Sequence, residues 1–190
     1  MDSAKPKQET PQSLSRRKAR RKALELVFEY DQHPGISMEE LLERTFNYEK
    51  WYQGTFPGES YACEDANSSE ENSLEDNGEI VVSKIDQKNE AFIRTICTLV
   101  AQHKDLLDEI LSQYPHEWRY DRIGNPEKAI LRMALSELIF MDTPIKVAIN
   151  EALDLTKLYG EKDSNRFING ILGAVVKNLP EIKARCGVEP

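Results

Sequence analysis

The chain has 190 residues, 39% of them apolar, with 33 acidic against 25 basic side chains, a formal net charge of -8 and a mean hydropathy of -0.59. That size suits one domain with extensions, no stretch approaches the roughly 20 apolar residues that cross a bilayer, and Met1 to Ser15 lacks the apolar core of a signal peptide. Three well-separated cysteines, Cys63, Cys97 and Cys186, with no CxxC pair, argue against a disulfide framework or a zinc site, so a soluble cytoplasmic protein with no membrane association is expected.

Residues 1–14 are polar and proline-bearing and read as a disordered tail. Six of the seven residues from Arg16 to Lys22 are basic, and they open a predicted helix running to about Gln32, with Ala19, Ala23, Leu24, Val27 and Phe28 on its apolar side. Cations at a helix N-terminus face the positive end of the macrodipole. The pairs Arg16/Arg20, Arg17/Arg21 and Lys18/Lys22 also repel at i,i+4 spacing, by about 0.2–0.5 kcal/mol each. A polyanion laid along this face relieves both penalties, and phosphate is the obvious one; a solvated basic face is the plain alternative.

Ser37-Met38-Glu39-Glu40 has the form of a capping box opening a second helix to about Trp51. From about Gln53 to Ser83 the hydrophobic period disappears. Between Glu59 and Glu79 stand eight acidic residues and no Lys or Arg, so residues 53–83 read as an acidic disordered insert. Helical spacing returns from Asp86 to Tyr114, with a break expected near His103. Asn125-Pro126 and Thr143-Pro144 each read as an N-cap followed by proline, starting two more helices, the second stopped by Gly160. Asp163 is expected to cap a last helix with Phe167, Ile168, Ile171, Leu172, Val175 and Val176 on its apolar face, ended by Pro180 and followed by a tail at 181–190. No stretch alternates with period two for long enough to form a strand. The fold class is all-α: a compact bundle of about seven helices.

Catalytic patterns are absent. His33, His103 and His116 are isolated, and His116-Glu117 lacks the second His at position 120, which is Tyr. There is no Gly-rich phosphate loop, and no GxSxG or HxE…CxxC pattern, so no catalytic residue, cofactor or metal is assigned. Gly170 and Gly173 lie inside the last helix, where close approach of a neighbouring helix is the expected reason for tolerating them.

Three runs carry a resemblance: Pro126-Glu127-Lys128-Ala129-Ile130-Leu131-Arg132-Met133-Ala134-Leu135-Ser136-Glu137-Leu138, then Thr143-Pro144-Ile145-Lys146-Val147-Ala148-Ile149-Asn150-Glu151-Ala152, then Lys157 through Leu172 with Asp163-Ser164 and Phe167. In order and spacing they resemble the NusB family of transcription antitermination factors, as does the arginine-rich helix at Arg16–Phe28; the likeness spans roughly 16–52 and 86–180. The resemblance implies two helical subdomains and a heterodimer with ribosomal protein S-ten (NusE). It further implies binding of boxA-type single-stranded RNA in ribosomal transcripts and association with the elongating RNA polymerase and other Nus factors. Carried over residue by residue, Arg16, Arg17, Lys18, Arg20 and Arg21 would track the RNA. Phe167 would stack a base, and Asp163 would sit beside the strand as a negative residue limiting affinity. From the residues alone, Phe167 also reads as core and Asp163 as an ordinary cap. Partner contacts would fall on Phe28, where the family pattern has Tyr, and on Glu127.

Two other readings remain. A similar helical domain precedes the catalytic half of ribosomal RNA cytosine methyltransferases, but that reading needs an α/β domain with a Gly-rich cofactor loop, of which this sequence carries no trace. A helical adaptor that touches only protein is the other.

Overall fold

The computed structural model describes residues 15–47, 85–114, 123–141 and 143–188; the tail at 1–14, the acidic segment at 53–83, Cys63 and His116 lie outside them. Three helices start where short polar side chains can satisfy first-turn N–H groups. The Ser15 hydroxyl accepts from the Lys18 N–H to open α1 (Arg16–Gln32). Ser37 Oγ accepts from the Glu40 N–H at 3.1 Å to open α2 (Met38–Phe46). The Asp86 carboxylate accepts from the Asn89 N–H at 2.8 Å to open α3 (Gln87–Gln102). Helix α2 ends at Asn47, short of the expected Trp51. The break before α4 (Lys104–Ser112) falls on His103, whose ring stacks on Phe140 at 4.3 Å.

The proline-marked starts are each displaced by one residue. In α5 (Asn125–Phe140) the N-cap position is Gly124 rather than Asn125, and in α6 (Ile145–Tyr159) it is Pro144 rather than Thr143; neither start has a side-chain cap. In α5 the third helical residue, Glu127, puts an acidic side chain in the first turn, where the positive end of the helix dipole favours it. Before α7 (Ser164–Lys177), Asp163 occupies the N-cap position but adopts φ 81 and makes no side-chain bond to the helix, so the expected cap is not formed. A left-handed residue turns the chain there instead, a conformation Asp tolerates better than most side chains. Helix α7 stops at Lys177, and α8 (Leu179–Arg185) follows with Pro180 in its first turn, where a missing N–H costs nothing. Residues 181–185, expected in the tail, are therefore helical.

Helix α5 is the spine. It packs against α1, α3, α4, α6, α7 and α8, and every residue from Ala129 to Ile139 is buried. Its sequence reads as amphipathic, yet Glu127, Arg132, Ser136 and Glu137 are buried on its polar side. Burial of charge is tolerated only with partners. Arg132 accordingly forks onto Asp108 at 2.6 and 2.7 Å and also meets Asp31. Helices α1, α2 and α3 pack on one another, and α6 packs on α7; α1, α3, α6 and α7 all rest on this spine, over one continuous apolar cluster. The all-α class and the division into two helical groups agree with the sequence, with eight helices among the described residues. No described helix is long and apolar enough to cross a membrane.

The two glycines of α7 are not explained by close packing: a Cβ at Gly170 or Gly173 would meet nothing within 4 Å. Ile145 and Tyr159 are 41% and 36% exposed because they are the first and last residues of α6, beyond the reach of the core.

Candidate nucleic-acid interface

Successive residues of a helix point about 100° apart, so the basic run of α1 cannot form a single surface. Arg20 points inward. It is 5% exposed, its Nε and Nη2 donate to Glu137 Oε1 and Oε2 at 2.8 and 2.6 Å, and Nη1 lies 3.7 Å from Glu151. Its guanidinium also sits 5.2 Å from the centre of the Phe92 ring. Arg20 is thereby removed from the RNA-tracking set: it binds α1 to α5 and has no face left for a strand. At this position the clustered positive charge is compensated from within the fold, by Glu137 and Glu151, rather than by an external polyanion.

The rest of the run stays at the surface. Arg16 is exposed, with its guanidinium 4.5 Å from the Phe92 centroid and Nη1 donating to the Lys88 carbonyl at 3.2 Å. Arg17 leans toward α6, where it pairs with Asp154 and lies 3.8 Å from Glu151, and its side chain remains 59% exposed. Lys18 is exposed and makes no ion pair with any described residue. Arg21 Nε donates to the Tyr159 hydroxyl at 3.3 Å. Lys22 is held at 3.0 Å by Glu25.

Between α1 and the end of α6 lies an open cleft of about 190 Å³ lined by Arg17, Arg21, Asp154, Leu155, Lys157 and Leu158. Leu158 is 57% exposed. Beyond Tyr159 the chain turns through 160–163 into α7, and Glu127 fixes that turn from below. Its Oε1 accepts from the Glu161 N–H at 2.8 Å and from Ser164 Oγ at 2.7 Å. Burial alone would push the Glu127 carboxyl up, but the Ser164 hydroxyl, the Glu161 N–H and its own N–H outweigh that and hold it below the usual carboxylate range. Gly160 leaves room for this contact: a Cβ there would lie 2.7 Å from the Thr156 carbonyl oxygen and 3.1 Å from Glu127 Oε1.

Glu127, expected at a partner interface, is 3% exposed and its Oε1 holds the turn, which makes it a positioning residue for α7. The turn it holds carries Asp163 and leads to Phe167. Asp163 is exposed; the Phe167 ring is half-buried against the core and also lines a shallow pocket of about 90 Å³ with Gly124, Glu127, Lys162, Asp163 and Ser164. Phe167 thus has both a core contact and an open edge. Phe28 is 37% exposed on the second half of α1 and remains available to a partner. Sequence reasoning did not single out Tyr159, which bonds Arg21 at the rim of α1. The only available signal was its place directly before the helix-stopping Gly160, where the apolar stripe runs past the end of the packed face.

The family model for the NusB family matches residues 52–177. Over 94 residues the chain is 45% identical to transcription antitermination protein NusB of Desulforudis audaxviator (strain MP104C), a span covering 49% of this chain and 68% of that protein. Among solved structures, that of T. maritima NusB superposes with a TM-score of 0.63 at 23% identity, covering 91% of this chain and 99% of that one. A chain in the crystal structure of a plectonemic RNA supercoil shares the fold at a TM-score of 0.58 and 20% identity, covering 85% of this chain and 94% of that one. The matched family region begins after α1, so the basic helix stands on its own geometry.

Proposed function

The chain belongs to the NusB family of transcription antitermination proteins, and on that premise we propose that it is a non-enzymatic RNA-binding antitermination factor of the cytoplasm. It binds boxA-type single-stranded RNA in ribosomal transcripts together with ribosomal protein S-ten (NusE) and brings that complex to the elongating polymerase and its other Nus factors. The observation that carries this reading is the rim of α1. Arg16, Arg17 and Lys18 hold positive charge at an open surface in a chain of net charge -8, and the cleft beside them leads to Tyr159. Phosphate contacts supply affinity and register; aromatic edges at Tyr159 and Phe167 suit the unstacked bases of a single strand, at about 1–3 kcal/mol per stacked base. Phe28 on the far half of α1 offers the protein partner an apolar contact. The fold neighbour from an RNA-containing structure agrees with this reading.

Filter binding of ribosomal leader RNA tests it, with wild type against the triple variant Arg16→Ala, Arg17→Ala, Lys18→Ala. Retention by wild type and loss in the variant are expected. Equal retention, or none by either, would favour a protein-only adaptor. Co-purification with the ribosomal protein, with and without RNA, tests the partner.

A further inference from the structure

Asp154 stands one α6 turn before Leu158 and holds two cations from two helices. One carboxylate oxygen pairs with Arg17 Nη2 of α1, and the other lies 2.8 Å from Lys157 Nζ of α6. The cations are the outer members of this bridge: their side chains are 59% and 62% exposed, against 31% for Asp154. Two oxygens of one anion shared between cations on neighbouring helices is also how a phosphate group would be held there. We propose that Asp154 is a built-in competitor for RNA phosphate, filling the anion position between Arg17 and Lys157 until a strand displaces it. Lys157 thereby joins the RNA-contacting surface from outside α1. This rests on the RNA-binding reading above and adds to it a residue that sets affinity.

The physical balance favours exchange. Exposed ion pairs hold weakly, each worth about a 1.4- to 5-fold bias at most. A polynucleotide phosphate brings the field of its neighbours and releases counterions on binding, neither of which a single carboxylate can match. Glu151, 3.8 Å from Arg17 Nε, adds a second carboxylate on the α6 side of the cleft, so Arg17 is drawn to α6 in the free protein and a strand must outcompete that attraction as well. The cleft is open, and Leu158 on its wall leaves an apolar surface for a nucleotide sugar.

Fluorescence anisotropy with a short fluorescein-labelled boxA-type RNA tests the proposal on the full chain. Asp154→Asn keeps the side-chain shape, removes the charge, and should bind about two- to fivefold tighter at low salt. The gain should fade at high ionic strength. It should also vanish when Asp154→Asn is placed in an Arg17→Ala, Lys157→Ala background, whereas a mere change in overall charge would persist there. Affinity equal to or below wild type, or a gain that survives in that background, overturns the proposal while leaving RNA binding intact. Failure of wild type to bind RNA removes the underlying reading and this inference with it.

Discussion

Arg20 and Glu137, 117 residues apart in the chain, close a forked ion pair at 2.8 and 2.6 Å between α1 and α5, away from water. Removing one partner of such a pair leaves a buried charge without compensation. Arg20→Ala should therefore cost about 3–5 kcal/mol of stability in urea unfolding. Arg17→Ala should stay within about 0.5 kcal/mol of wild type, because its ion pair is exposed. Similar losses for the two would contradict the division of α1 into a structural and an open side.

The same division sets the salt dependence of RNA binding. With Arg20 buried against Glu137, the surface offered to phosphates is made by Arg16, Arg17, Lys18 and Arg21 of α1 together with Lys157 of α6. Five neutralised phosphates on a single strand give a slope of log affinity against log salt of about -3.5. Replacing Arg16, Arg17 and Lys18 by Ala should flatten it to about -1.4. A wild-type slope near zero is incompatible with a phosphate-based interface.

Glu127 predicts a pH effect with a definite sign. Its folded-state pKa lies below the usual 4.5, so the unfolded chain takes up a proton first as pH falls. The contribution of this carboxylate to stability is thus full above about pH 4.5 and lost below it, as pH drops through the folded value. Glu127→Gln should lower stability by about 1–3 kcal/mol near pH 7, and the gap to wild type should narrow under acid. A gap that widens in acid would reverse the assignment.

Much of this arrangement was legible in the sequence, and the boundary of legibility has a physical cause. Local signals held: Ser37 with Glu40, the return of helical spacing at Asp86 and the interruption at His103 all depend on residues within a few positions of one another. What failed depends on distant partners. Nothing near Arg20 announces Glu137, and nothing near Glu127 announces the turn at Glu161 and Ser164. The periodicity of α5 shows an apolar face but not that its polar face is covered too, since that cover is supplied by six other helices.

Glycine supplies a contrast within one chain. Gly170→Ala and Gly173→Ala should each raise stability by about 0.5–1 kcal/mol, because α7 has room for the methyl group and alanine restricts the unfolded chain. Gly160→Ala should lower it, since its methyl group would press on the Thr156 carbonyl oxygen at 2.7 Å. Thermal melts of the three variants distinguish the cases; a loss at both α7 positions would reveal a neighbour on that outer face.

A segment walled in from every direction, as α5 is from Ala129 to Ile139, has no side of its own to offer to another molecule. Recognition can be rewritten only on the outward edges of the helices around it, so changes in what this protein binds can accumulate on α1, α6 and α7 while the central rod stays fixed. That separation lets one scaffold acquire new specificities without being rebuilt.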